Sequence, residues 1–196
     1  SWCSDRSFYY LMNRFFQLPN GSVIPFIPKC GLASTAGSIF FHQKKIKGHN
    51  FKLTRPVLNH DNKPALAPIR DAVERFKSAV YQVNKGDQSI TIDEILDGLE
   101  AGTYRNQHFQ SQTDILKGCE GCESVKLYRF PEDFQQMLID GGLEPLSEHR
   151  NKSTDKPELT EEQETRVLAL YANDIELRTT LDTYVTLTQT QTQTIK

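Results

Sequence analysis

A three-layer α/β domain with a parallel central sheet flanked by helices is what the order of apolar and turn-forming residues predicts. Three observations carry that expectation. Strand candidates recur at residues 23–27, 65–69 and 125–129, and a helical pattern follows each of them. Two later helices open on capping boxes, Thr91-Ile-Asp-Glu94 and Thr160-Glu-Glu-Gln163. Strands that alternate with helices imply a parallel sheet under helical layers, and a chain of 196 residues fits one domain with its own core.

The elements follow in order. Residues 5–17 place Phe8, Met12 and Phe15 at helical spacing, which predicts an N-terminal amphipathic helix. Pro19-Asn20-Gly21 is a turn, and the apolar run 23–27 ends at Pro28. A small, polar segment from Lys29 to Ser38 then leads into a helical pattern at Ile39, Phe40 and Phe41, while residues 43–60 are basic and fit strand or loop. The run 65–69 ends at Arg70-Asp71, and the next helix carries Val73, Phe76 and Val80 on one face. Ile92, Ile95, Leu96 and Leu99 follow the Thr91 cap, with Gly102 as the stop. Residues 105–117 read as helix and 118–123 as turn. Pro131 suits the first position of a helix that ends at Gly141-Gly142. A polar loop spans 147–158, and Val167, Tyr171 and Ile175 form a stripe behind Thr160. From Thr183 the chain alternates Thr with Val, Leu or Gln, so residues 1–182 are expected to form one domain and 183–196 a tail that frays or adds a loose edge strand.

Charge narrows the function. The net charge of −2 argues against general nucleic-acid binding. From Arg6 to His60 there is no Asp or Glu, yet Arg6, Arg14, Lys29, Lys44, Lys45, Lys47, Lys52 and Arg55 all lie there. That half suits an anionic ligand. No apolar stretch reaches the length of a membrane span and no signal peptide is visible at Ser1, so the expectation is a cytoplasmic protein without membrane partners. Four cysteines are too few for a disulfide scaffold. Cys119-Glu-Gly-Cys122 has the spacing of a metal or redox pair, but a tetrahedral zinc site lacks two further ligands at a usual spacing. A local disulfide or two inert thiols are the other readings.

Two segments carry candidate chemistry. The first is Ile27-Pro-Lys-Cys-Gly-Leu-Ala-Ser-Thr35, a strand-to-helix loop. Free N–H groups and the positive dipole end of a helix bind phosphate there. Gly31 allows close approach, Ser34 and Thr35 add hydroxyls, and Lys29 adds a mobile cation. No Gly-Lys-Ser/Thr follows the glycine, so this is not a Walker A loop. The second is Ile69-Arg-Asp-Ala-Val-Glu-Arg-Phe-Lys-Ser78, with Arg70 at the strand end and Ser78 on the following helix. An arginine fork with a hydroxyl suits a terminal phosphate. In open α/β sheets ligands bind at the carboxyl ends of the strands, where both segments fall.

Together, in this order, the two segments resemble the PAPS-dependent sulfotransferase superfamily. Pro28 to Thr35 is similar to its 5′-phosphosulfate loop, Pro-Lys-x-Gly-x-Thr-Ser/Thr, and Arg70 with Ser78 is similar to its 3′-phosphate motif. "IRDAVERFKSAV" is close to the Arg-Asp-Pro-x-Glu-Arg-x-x-Ser-Ala-Tyr form of the carbohydrate-type branch. "NQHFQSQ", "KLYRFPEDF", Asn151-Lys152-Ser153 and the pair Tyr171 and Asp174 are further echoes, so the likeness spans roughly residues 22–178. Ala33 stands where the family usually has Thr, Ala72 replaces Pro, and the stretch before Arg70 is short.

The resemblance implies a P-loop-NTPase-like domain that moves a sulfuryl group from PAPS, leaving PAP, to a hydroxyl or amine of a small-molecule or glycan acceptor, without a metal. Lys29 would neutralise charge on the bridging oxygen. Residues Lys29, Cys30, Gly31, Leu32, Ala33, Ser34 and Thr35 would hold the 5′-phosphate, and Arg70 and Ser78 the 3′-phosphate. A hydroxyl acceptor also asks for a base, and histidine is the usual one near neutral pH. His49 leads, because Gly48-His49 sits before Arg70 much as in the uronic-acid 2-O-sulfotransferases. His60 follows, then His108, with His42 also present. A P-loop-like nucleotide kinase and a non-catalytic nucleotide-binding module are the competing classes.

Overall fold

The computed structural model describes residues 15–30, 60–86, 90–145 and 155–194. Among the described residues four strands form one sheet in the order β1 (Phe15–Gln17), β2 (Val23–Pro25), β3 (Pro64–Arg70) and β4 (Ser124–Phe130). β2, β3 and β4 run parallel, with Val23 opposite Ala65 and a full ladder from Pro64–Ser124 to Arg70–Phe130. The three strand runs expected from the sequence therefore share one parallel array.

The wholly parallel sheet needs one correction. β1 pairs antiparallel with β2, Phe16 lying opposite Ile24, so the sheet is mixed. This also corrects the N-terminal helix at its end, since Phe15–Gln17 is a strand. Phe15 and Phe16 are both buried and point to opposite faces: Phe15 packs with Val23 and Ala65, and Phe16 with Ile24 and Phe134. A helix could not bury two adjacent rings on two sides of one sheet. Residues 5–14 lie outside the described residues.

Among the described residues six α-helices lie after β3, three of them before β4 and three after it: α1 (Ala72–Gly86), α2 (Ile92–Glu100), α3 (Gln112–Leu116), α4 (Phe134–Asp140), α5 (Glu161–Leu170) and α6 (Ala172–Thr194). β3 is buried on both faces because helices cover both. Leu66 meets α4 through Phe134, Met137 and Leu138. Ala67 and Ile69 meet Ile115 of α3 and Leu177 and Leu181 of α6. A further core joins α1, α2 and α5 through Phe76, Val80, Ile95, Leu96 and Val167.

Both capping boxes form. Thr91 accepts from the Glu94 amide at 3.2 Å while the Glu94 carboxylate accepts from the Thr91 amide at 2.8 Å. Thr160 and Gln163 repeat the arrangement. Residues 105–117 are less regular than a single helix, with a 3₁₀ turn (Gln107–Phe109) before α3. α4 starts at Phe134 rather than at Pro131, because Asp133 turns its carboxylate back to the Arg129 amide and guanidinium and holds residues 131–133 in a turn. The tail is corrected as well: α6 runs helical to Thr194. Thr179, Thr180 and Thr183 return their hydroxyls to the carbonyls of Ile175, Glu176 and Thr179, so these polar groups are satisfied within the helix. Among the described residues no helix is long and apolar enough to cross a membrane.

Candidate anion site at the strand ends

β2 and β3 deliver Lys29 and Arg70 to the same end of the sheet. The Arg70 guanidinium donates from Nη1 to the Lys29 carbonyl at 2.8 Å, and it lies 5.6 Å above the Phe130 ring at the end of β4. Lys29 has φ 68°, a left-handed conformation that a side chain with a Cβ rarely adopts. The Arg70 bond holds the carbonyl that this turn exposes. The Lys29 ammonium reaches across to Gln82 of α1 at 3.1 Å.

α1 presents a polar stripe to this loop. Arg75, Ser78 and Gln82 are three and four residues apart, hence on one face. Arg75 is only 2% exposed. Its Nε donates to the Pro28 carbonyl at 3.3 Å and its Nη2 to the Gln110 carbonyl. It thus ties the loop after β2 to the segment before α3. Ser78 is buried one turn further along the stripe.

A second network sets the height of Arg70. The Gln112 side chain accepts from the Arg70 amide at 2.9 Å and donates to the Arg70 carbonyl at 2.9 Å, and it also accepts from the Cys30 thiol. Gln112 is held in turn by Asp174, a fully buried carboxylate that accepts from the Gln112 and Thr113 amides and from the Ser111 and Thr113 hydroxyls at 2.7–2.8 Å. Asp174 therefore caps α3 from α6.

The charges at this end of the sheet are mostly positive. Lys29 is pulled below its ordinary pKa, first by burial and then by the nearby charges of Arg70 and Lys85. Burial also lowers Arg70. Glu74 is the counter-ion near Arg70, at 3.7 Å, but it is shared with Lys156 at 2.7 Å. Burial holds the Cys30 thiol protonated, with its pKa up at about 11. His108 is half-buried, and burial followed by the charges of Lys29 and Arg75 pushes its pKa down, so its imidazole is neutral near pH 7. Its buried Nδ1 has no hydrogen-bond partner among the described residues.

The structure brings Lys29, Cys30 and Arg70 together through the Arg70 and Gln112 hydrogen bonds, and Ser78 is buried on α1, one turn from Arg75. It does not gather His60. That ring stacks on Phe15 at 4.0 Å before β3 begins, so the whole of β3, ~20 Å at the usual rise, separates it from Arg70. Gly31, Leu32, Ala33, Ser34, Thr35 and His49 lie outside the described residues. Arg75, Gln82 and Gln112 are additions, and His108 moves ahead of His60 among the described histidines. A charged residue inside the apolar spacing of α1 was the one available signal for Arg75. No protein-family model, curated protein or solved structure matches the chain.

Proposed function

We propose that this protein transfers a sulfuryl group from PAPS to a hydroxyl or amine acceptor, carbohydrate being the class that the resemblance implies, on a three-layer P-loop-like frame. One observation carries the reading: the two resembling segments meet at the carboxyl ends of adjacent parallel strands, where the Arg70 side chain bonds the Lys29 main chain. Two unrelated surface motifs would have no reason to interlock.

Sulfuryl transfer, like phosphoryl transfer, asks mainly for in-line positioning and charge stabilisation. Lys29 faces the bridging oxygen as the nucleotide leaves, and its depressed pKa makes it a ready proton donor to that oxygen. Arg70 and Ser78 hold the 3′-phosphate, and the buried charge of Arg75 adds to the field around the loop. Neutral His108 next to these cations accepts the acceptor's proton, in place of His60.

A thermal-shift series with PAP, ADP and ATP, without magnesium, tests the reading. PAP should stabilise the protein, ATP should do so poorly, and Arg70→Ala should erase the difference. Equal shifts with PAP and ADP would instead favour a kinase-like nucleotide site. Labelled sulfate transferred from PAPS to a panel of glycans and simple alcohols then reads the chemistry.

A further inference from the structure

At the opposite end of the sheet, away from the anion site, the chain holds a second piece of chemistry. Cys119 and Cys122 bracket a β-turn closed by the Cys122 amide on the Cys119 carbonyl at 2.9 Å. Cys122 packs against the buried cluster that contains Cys119, so the turn brings both cysteines to one side of the same core. Cys119 is buried against Phe15, Val23 and Ala65, whereas Cys122 is half-buried. The turn is docked on the one before β3 by two backbone bonds, Asn62 to Gly121 at 2.9 Å and Glu123 to Lys63 at 3.1 Å. A Cβ at Gly121 would meet the Asp61 carboxylate, which would have to swing aside.

We infer that Cys119 and Cys122 are a reversible dithiol pair that oxidises to a local disulfide and staples the turn entering β4. Among the described residues no group of His, Cys, Asp and Glu is placed to hold a metal there. Disulfide formation needs the partner sulfur, which the turn supplies, and an external oxidant of the disulfide class. Burial raises both thiols, Cys119 to about 12, so neither is the permanent thiolate of a redox enzyme. The pair is a slow structural bridge instead.

The exchange balances as follows. The thiolate of Cys122, the less buried of the two, attacks one sulfur of a small-molecule disulfide such as oxidised glutathione and expels one glutathione thiolate. Cys119 loses its proton to solvent and attacks the Cys122 sulfur of the mixed disulfide, expelling the second. Two protein thiols become one disulfide, and one glutathione disulfide becomes two thiols.

The test incubates the full chain in glutathione redox buffer at pH 8, blocks free thiols with an alkylating agent and maps the peptides by mass. The wild-type peptide should lose two hydrogens and carry no glutathione. Cys119→Ser should stop at a glutathione adduct on Cys122, and Cys122→Ser should react at least tenfold more slowly. The bridged protein should melt a few degrees higher, the gain should vanish with dithiothreitol, and Cys119→Ser should show no gain. A lasting adduct on the wild type, or two alkylated thiols under conditions that fully modify Cys119→Ser, overturns the pairing. A bridge that leaves the melting temperature unchanged or lower overturns the staple.

Discussion

Arg70 does not point freely at solvent: its guanidinium donates to the carbonyl of Lys29, the residue held at φ 68°. The cation expected to bind one phosphate thereby positions the cation expected to serve the other. On the proposed reading, binding and chemistry would share one hydrogen bond across the ends of β2 and β3.

That coupling separates two substitutions at Lys29. Both Lys29→Ala and Lys29→Gly remove the ammonium, and each should lower sulfate transfer by about 10²–10³ while weakening PAP binding only modestly, because PAP lacks the sulfuryl group that the charge serves in the transition state. Stability should differ between them. Glycine accepts a left-handed turn without the Cβ penalty, so Lys29→Gly should exceed Lys29→Ala by about 1 kcal/mol in urea unfolding. Equal stabilities would contradict the strained turn, and an undiminished transfer rate in either variant would remove Lys29 from the chemistry.

Asp174 should matter for folding although it lies far from any ligand in sequence. It is 1% exposed and accepts from two amides and two hydroxyls of the α3 start. Asp174→Ala leaves the buried Gln112 amide and three part-buried donors without their acceptor, at a cost of ~3 kcal/mol. Gln112 would lose its anchor, so PAP affinity should fall along with stability. Calorimetry on Asp174→Ala reads both. A variant as stable as the parent would show that α3 needs no cap from α6.

How much of this was legible depends on where each signal resides. β2 and β3 could be read because each is a short apolar run cut off by Pro or a charged residue and buried nearly throughout, whereas β4 alternates polar and apolar residues and buries only Tyr128. β1 could not: Phe8, Met12 and Phe15 match a helical period, and only pairing with β2 makes Phe15–Gln17 extended. Lys29, Arg70 and Ser78 stand out by spacing. Arg75 and Gln112 do not, because their partners are carbonyls or amides of Pro28, Gln110 and Arg70, remote in the chain and anonymous in a sequence. His60 looked close to Arg70 in residue count, but a strand turns ten residues into the length of the sheet.

Acid stability should report on Asp140. Its burial opposes ionisation, yet hydrogen bonds from Lys126, Tyr128 and Gln136 outweigh it and hold the carboxyl at about 2, below the ordinary 3.8. A depressed carboxyl pKa stabilises the fold above the unfolded value and loses that contribution as pH falls from about 4 through 2. With solvent screening the contribution is about 1 kcal/mol. The stability gap between the parent and Asp140→Asn should therefore be present at pH 5 and close by pH 2 in denaturant titrations. A gap independent of pH would mean that the interaction does not involve the charge.

The pH dependence of transfer singles out the base. An ordinary histidine titrates near 6.5, and His108 lies below that because it is buried and then because Lys29 and Arg75 repel its proton. A base must be unprotonated, so kcat/KM for a hydroxyl acceptor should stay level down through pH 6.5 and fall only below it. Removing a neighbouring charge should move that limb in a known direction. A cation taken away relieves the repulsion, so Lys29→Met, assayed in single turnovers for its residual rate, should shift the acid limb upward toward the ordinary value. His108→Asn should lower the rate by about 10²–10⁴ and abolish the limb. His49→Ala, made beside it, supplies the contrast. If His49→Ala removes the limb while His108→Asn leaves it in place, the base belongs to the segment before β3 and the neutral imidazole beside Lys29 has another task.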